Sequence, residues 1–194
     1  MTRGGNGNGL TVIADGTVAA ADPRRYSRNA PSFYADPAGW LVAAAVQEAF
    51  DGCAGEPLSV PDEVGVVAVS AACTAHTMGA IATSARDGLV SPLRFAGASP
   101  GILAGLACIR WKLRGPTLTL AMDPVAGLDV AATVAGGWLR DGQARYVLVA
   151  AYTVEDDQHV ARCAVTRSRR TGEPDGRPRI RALVAGPVPV AAGR

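Results

Sequence analysis

The sequence predicts an α/β fold: a mixed, mainly parallel sheet of about five strands, with helices packed on both faces. Val64 to Ala72 (VGVVAVSAA) and Tyr146 to Val154 (YVLVAAYTV) are unbroken apolar runs of strand length, the pattern of strands buried on both sides. Between them lie segments with apolar residues at helical spacing, and strands that alternate with helices make βαβ units whose strands run parallel. Composition points the same way. Aromatics make up 5% and hydrophobic residues 48%, with Ala, Val and Gly dominant, which suits small-residue helices lying close on a β-branched sheet.

Taken in order, residues 1–9 are Gly/Asn-rich and read as a flexible leader. Leu10 to Ala20 is β-like, with Asp15-Gly16 as a turn inside it. The polar, Pro-containing stretch 22–36 is a loop. Pro37 to Phe50 has helical spacing, with Asp36 as N-cap and Gly52 as stop. After the strand at 64–72, Thr74 to Arg86 is a helix ended by Gly88, and Ser91-Pro92 opens a loop. Gly101 to Leu113 is an apolar helix halted before Gly115-Pro116, and Thr117 to Met122 is a strand. Leu128 to Leu139 is helical and is closed by Asp141-Gly142. Two short strands, 164–166 and 180–184, follow the strand at 146–154 and form a hairpin at one sheet edge across the turn 167–179. Residues 10–186 form a single domain, and 187–194 a tail.

Net charge is +2 over 194 residues, too weak a field to imply nucleic acid. The N-terminus has no apolar signal-peptide core, and no apolar run approaches the roughly 20 residues that span a bilayer. A cytoplasmic protein with no membrane contact is expected. Cys53, Cys73, Cys108 and Cys163 form no C-x-x-C pair, so reduced thiols, no metal and no cofactor are the expectation.

From Val64 onward the punctuation resembles the N-terminal half of the β-ketoacyl synthases, which have the thiolase fold. Ser91-Pro92-Leu93-Arg94-Phe95 is similar to that family's S-P-x-x-F loop, and Ala98-Ser99-Pro100-Gly101 with Ala104-Gly105 to the loop and helix after it. Arg114-Gly115-Pro116 resembles the R-G-P before the strand leading to the nucleophile. The similarity covers about 64–184 and implies a three-layer half of a thiolase-like fold. The chain ends near the point where the first half of that fold finishes.

The register of the resemblance decides the chemistry. In ketosynthases the acyl-accepting cysteine stands nine positions after the Gly of R-G-P, and nine after Gly115 is Pro124. The surrounding residues are Met122, Asp123, Val125, Ala126 and Gly127, and Gly127 matches the glycine of the family pattern. Proline has neither a side-chain nucleophile nor a backbone N–H. In active members the helix N-terminus lowers the thiol pKa at this point. Val125-Ala126-Gly127-Leu128-Asp129 is similar to the A-G-G-L-D of chain-length factors, ketosynthase-like subunits that pair with an active ketosynthase.

Other residues invite chemistry. Cys73 and His76 are three apart at a helix start, where a thiol would be acidified, and form a candidate acyl-transfer dyad; the alternative is a buried or loop-lining cysteine. His159 lies among Glu155, Asp156 and Asp157 and reads as solvated. Asp123 and Asp129 could be paired carboxylates, but they read more simply as an N-cap ahead of Pro124 and a helix-surface residue. Arg162, Arg167, Arg169, Arg170 and Arg177, with Arg179 and Arg181, form a charge block: a solvated turn, or a surface for an acidic acyl carrier protein. No base-reading motif accompanies it.

These readings imply a non-catalytic ketosynthase-like subunit of the chain-length-factor kind, without cofactor, paired with a ketosynthase and an acyl carrier protein in a homo- or hetero-oligomer. The alternatives are a stand-alone acyl or small-molecule binding protein and a Cys73–His76 acyltransferase.

Overall fold

The computed structural model describes residues 9–28, 34–89 and 91–186; most of the expected leader and the whole expected tail lie outside the described residues. Strands β1 (Leu10–Ala20), β2 (Val64–Val69), β3 (Thr117–Leu120), β4 (Tyr146–Glu155) and β5 (Gln158–Ser168) form one sheet in the order β1-β5-β4-β2-β3. The β4-β2-β3 half is parallel, whereas β1-β5 and β5-β4 are antiparallel, so the sheet is mixed with its parallel pairing confined to three strands. Helices are α1 (Pro37–Gly52), α2 (Ala75–Arg86), α3 (Pro92–Gly97), α4 (Ile102–Trp111), α5 (Pro124–Arg140) and α6 (Arg177–Ala182).

The three expected layers are present. One face of the sheet buries Leu41, Val46 and Phe50 of α1 with Leu103 and Ala107 of α4 against Val66 and Leu148. The other buries Leu128, Ala131 and Ala135 of α5 with Ile180 of α6 against Val67, Val149 and Ala164. Strand β2 is buried along its whole length, as an unbroken apolar run between two helical layers must be.

Three expectations about elements are corrected. Asp15-Gly16 is no turn: β1 runs straight through it, pairing Asp15 with Ala164 and Gly16 with Cys163. Gly16 is needed for a different reason, because a Cβ there would come within 2.4 Å of the Ala45 carbonyl of α1. Residues 180–184 form no strand but belong to α6 and the turn after it. Ile180 and Leu183, three apart, both bury against the α5 side, a helical spacing that six residues were too few to declare. The partner of β5 is therefore β1 at the edge, and the hairpin is β4–β5, turning at Asp156-Asp157 where both residues have positive φ. Lastly, the loop expected after Ser91 winds into the short α3, with Pro92 in its first turn.

Candidate functional site

Parallel strands place the ends of β2 and β3 side by side, with the Ser70 N–H donating to the Leu120 carbonyl at 3.1 Å. The segments leaving those ends carry the two residues the sequence singled out, Cys73 and Pro124.

Pro124 is the first residue of α5, directly after the strand-to-helix turn that follows β3. Its ring is buried, while Val125 and Ala126 face outward, Val125 with 73% of its surface exposed. Asp123 caps the helix as expected: its Oδ1 accepts the Val125 N–H at 2.8 Å. Met122 packs on the apolar layer under α5. A Cβ on Gly127 would lie 2.3 Å from Val69 Cγ1, so glycine is what lets α5 settle onto β2 at this point. The helix N-terminus that would acidify a thiol is in place, and the residue set there has none.

Cys73 is a poor nucleophile where it stands. It is 8% exposed, its φ is 42°, and its Sγ donates to the Ser70 carbonyl at 3.0 Å. Burial, then the nearby Asp36 carboxylate, pushes the thiol pKa up rather than down. His76 is exposed and lines a shallow hollow of about 240 Å³ with Arg24, Thr77 and Arg94. The expected acidification fails because the thiol is buried and turned back to the Ser70 carbonyl, with the Asp36 carboxylate nearby.

Sequence reasoning saw Asp36 only as the cap of α1. The folded chain makes it a fully buried clasp, with Oδ1 accepting from Ala38 N and Oδ2 from Thr77 N, both at 2.8 Å, so one carboxylate ties the starts of α1 and α2. His159 is corrected too. It is half-buried and bonds through Nδ1 to the Tyr152 hydroxyl at 2.6 Å, with the rings stacked 6.0 Å apart. Burial lowers its pKa, and burial reinforced by Asp36 raises that of Tyr152. No local signal joins these residues: the β4–β5 register, with Val154 opposite His159, brings Tyr152 to the diagonal position.

The arginine block divides. Arg162 has only 3% of its side chain exposed and binds Glu155 at 2.8 Å and the Gly186 carbonyl at 2.9 Å. Arg167 grips Glu173 with both guanidinium nitrogens, at 2.9 and 2.7 Å. These two were expected on a partner surface; they are internal cross-links instead, because Arg162 lies in the stretch of β5 that is buried on both faces and Arg167 is held by Glu173 of the following loop. Arg179 pairs with Asp15 and Arg181 with Asp129, which disposes of Asp123 and Asp129 as a carboxylate pair. Arg169, Arg170 and Arg177 enter no ion pair among the described residues. All four cysteines are free thiols. Among the described residues no helix is long and apolar enough to cross a membrane, and no group of three or more His, Cys, Asp or Glu is placed to hold a metal.

Solved structures share this arrangement of a mixed sheet between two helical layers. A chain of the ishigamide ketosynthase/chain length factor superposes with a TM-score of 0.64 at 17% identity, covering 85% of this chain and 63% of that one. The AntDE:AntF assembly, a type II polyketide synthase acyl-carrier protein in complex with its ketosynthase, gives 0.65 at 14%, covering 83% and 63%. The ketosynthase ApeO in complex with its chain length factor ApeC, from Xenorhabdus doucetiae, gives 0.58 at 13%, covering 84% and 80%. The chain thus has the thiolase-like fold of ketosynthases and spans 63% of the length of the first two. No family profile matches it, and neither does any curated protein.

Proposed function

We propose that this chain is a non-catalytic ketosynthase-like subunit of the chain-length-factor kind, acting in the cytoplasm beside an active ketosynthase in polyketide or fatty-acid type assembly. The observation that carries the reading is Pro124 at the first position of α5, the place of the nucleophile in the resembled family. The buried, raised Cys73 thiol supports it, since it is no substitute. Solved neighbours that are themselves ketosynthase/chain-length-factor assemblies support the choice of partner.

The partner surface in this reading is the outer side of α5 together with the edge strand β3. Val125 is 73% and Val130 42% exposed on α5, and among the described residues β3 has a sheet neighbour only on its β2 side. The acyl carrier protein would meet Arg169, Arg170 and Arg177.

The test is twofold. Intact mass is recorded after incubation with an acyl thioester: an unmodified chain is expected, and an acyl adduct on Cys73 overturns the non-catalytic claim. Co-expression with a ketosynthase of the same genome should yield a joint complex; separate elution from every such ketosynthase and carrier protein sinks the pairing. A second reading, a stand-alone binder of an acyl group or small molecule, draws on a hollow of about 540 Å³ beside Ile81, Leu89 and Arg94. Native mass spectrometry showing a retained ligand in an unpartnered chain would favour it.

A further inference from the structure

A concavity of about 580 Å³ lies far from Pro124. It opens where β4 and β2 enter the sheet, at Tyr146 and Val64, whereas Pro124 follows the exit of β3; in parallel strands those are opposite ends. We propose that this groove binds a small phosphorylated ligand, a free phosphate or diphosphate or the diphosphate of a nucleotide.

Charge is the first argument. Arg145, Arg169 and Arg170 line the groove, and no ion pair among the described residues involves any of them. Glu63 is the one carboxylate on the same lining, so the rim is net cationic. Glu173 would be the natural neutraliser of this loop, but both its oxygens are taken by Arg167, and one also accepts the Arg170 N–H at 2.9 Å. Those bonds hold its carboxyl down at about pKa 2.

Preorganisation is the second argument. The Arg169 N–H is bonded to the Gly9 carbonyl at 3.0 Å, the Glu173 N–H to the Arg170 carbonyl at 3.1 Å, and Gly172 turns the loop with φ +87°. The Arg145 N–H donates to the Glu63 carbonyl at 2.7 Å, and its guanidinium lies 5.9 Å from the Tyr146 ring centre. The backbone that presents the three guanidinium groups is therefore held before any ligand arrives, which spares part of the ordering cost of binding. Planar arginine forks suit phosphoryl oxygens, which accept several short charge-assisted bonds. Thr171 adds a hydroxyl to the lining, and the floor is apolar, made by the buried Leu139, Ala144 and Tyr146. An anion with an organic body fits such a basin.

The inference does not depend on a ketosynthase or carrier partner, and the test uses neither. Inorganic pyrophosphate and ADP are each titrated calorimetrically into the full chain. Saturable one-site binding is expected, weakened roughly tenfold by each of Arg145→Gln, Arg169→Gln and Arg170→Gln and unchanged by Arg86→Gln, an exposed arginine outside the groove. ADP binding tighter than pyrophosphate assigns a nucleotide with its base on the apolar floor; equal binding assigns the bare anion, and both uphold the site. Arg170 is exposed, so its variant stays folded, as the circular dichroism melt will record. Saturation by neither probe, or a loss in Arg86→Gln as large as in Arg170→Gln, overturns the proposal.

Discussion

At Pro124 the cap and the close approach that shape the α5 N-terminus can be weighed separately. Removing the Asp123 carboxylate frees the Val125 N–H, and Asp123→Ala should cost about 1 kcal/mol in urea unfolding. Gly127→Ala drives a Cβ into Val69, so a loss of about 1–3 kcal/mol is expected. Adding Val69→Ala makes room, and the double variant should lose less than the sum of the singles, whereas strict additivity would mean that the two groups do not meet. Cys73 is a sharper case, because its position in the sequence suggests activation while its surroundings suppress it. Native protein at neutral pH should leave Cys73 unlabelled by iodoacetamide; rapid labelling there would show that the thiol is not held in the Ser70 turn.

Among the elements, the β4–β5 hairpin shows most plainly why charges close in sequence can be read wrongly. Arg162 looks like one member of a surface block, but it lies in β5 between β1 and β4, where both faces are buried and Glu155 satisfies it. Glu155→Ala leaves a guanidinium buried without its counter-ion and should cost about 3 kcal/mol, read as a fall in the unfolding midpoint. The Arg167–Glu173 cross-link makes a pH prediction of definite sign. The Arg167 guanidinium lowers the folded pKa of Glu173 from 4.5 to about 2, so the stabilisation is present above pH 4.5 and is lost as pH falls towards 2. Glu173→Gln should flatten that part of the stability profile, and an unchanged slope would assign it to other carboxylates. For α6 the sequence misled by brevity: Ile180 and Leu183 lie three apart, but a six-residue helix offers too little pattern to outweigh its turn-like flanks.

Among the described residues both sheet edges have a single neighbour, the eleven-residue β1 beside β5 and the four-residue β3 beside β2. Beside it, the outward face of α5 keeps Val125 and Val130 in water. Light scattering coupled to size exclusion should therefore find an oligomer of this chain or a complex with its partner. Val130→Arg should weaken association without lowering the melting temperature of the monomer, since Val130 lies outside the buried layer of α5. A monomer in both proteins, with or without the partner, would remove the β3–α5 surface from the proposal.

The sequence by itself determined the layered α/β class, the strands beginning at Val64, Thr117 and Tyr146 with the helices between them other than α3, and a proline at the start of α5, because apolar periodicity, turn residues and residue identity are local properties. It also placed the caps Asp36 and Asp123 correctly, since capping is settled within three residues of the helix start. Which arginines are paired inside and which face water, how Asp36 reaches α2, why His159 bonds Tyr152, and that Arg145 lines one groove with Arg169 and Arg170 were decided only by the tertiary structure. Those relations depend on strand register and on contacts between distant segments, such as the 41 positions between Asp36 and Thr77, and no pattern of neighbouring residues encodes them.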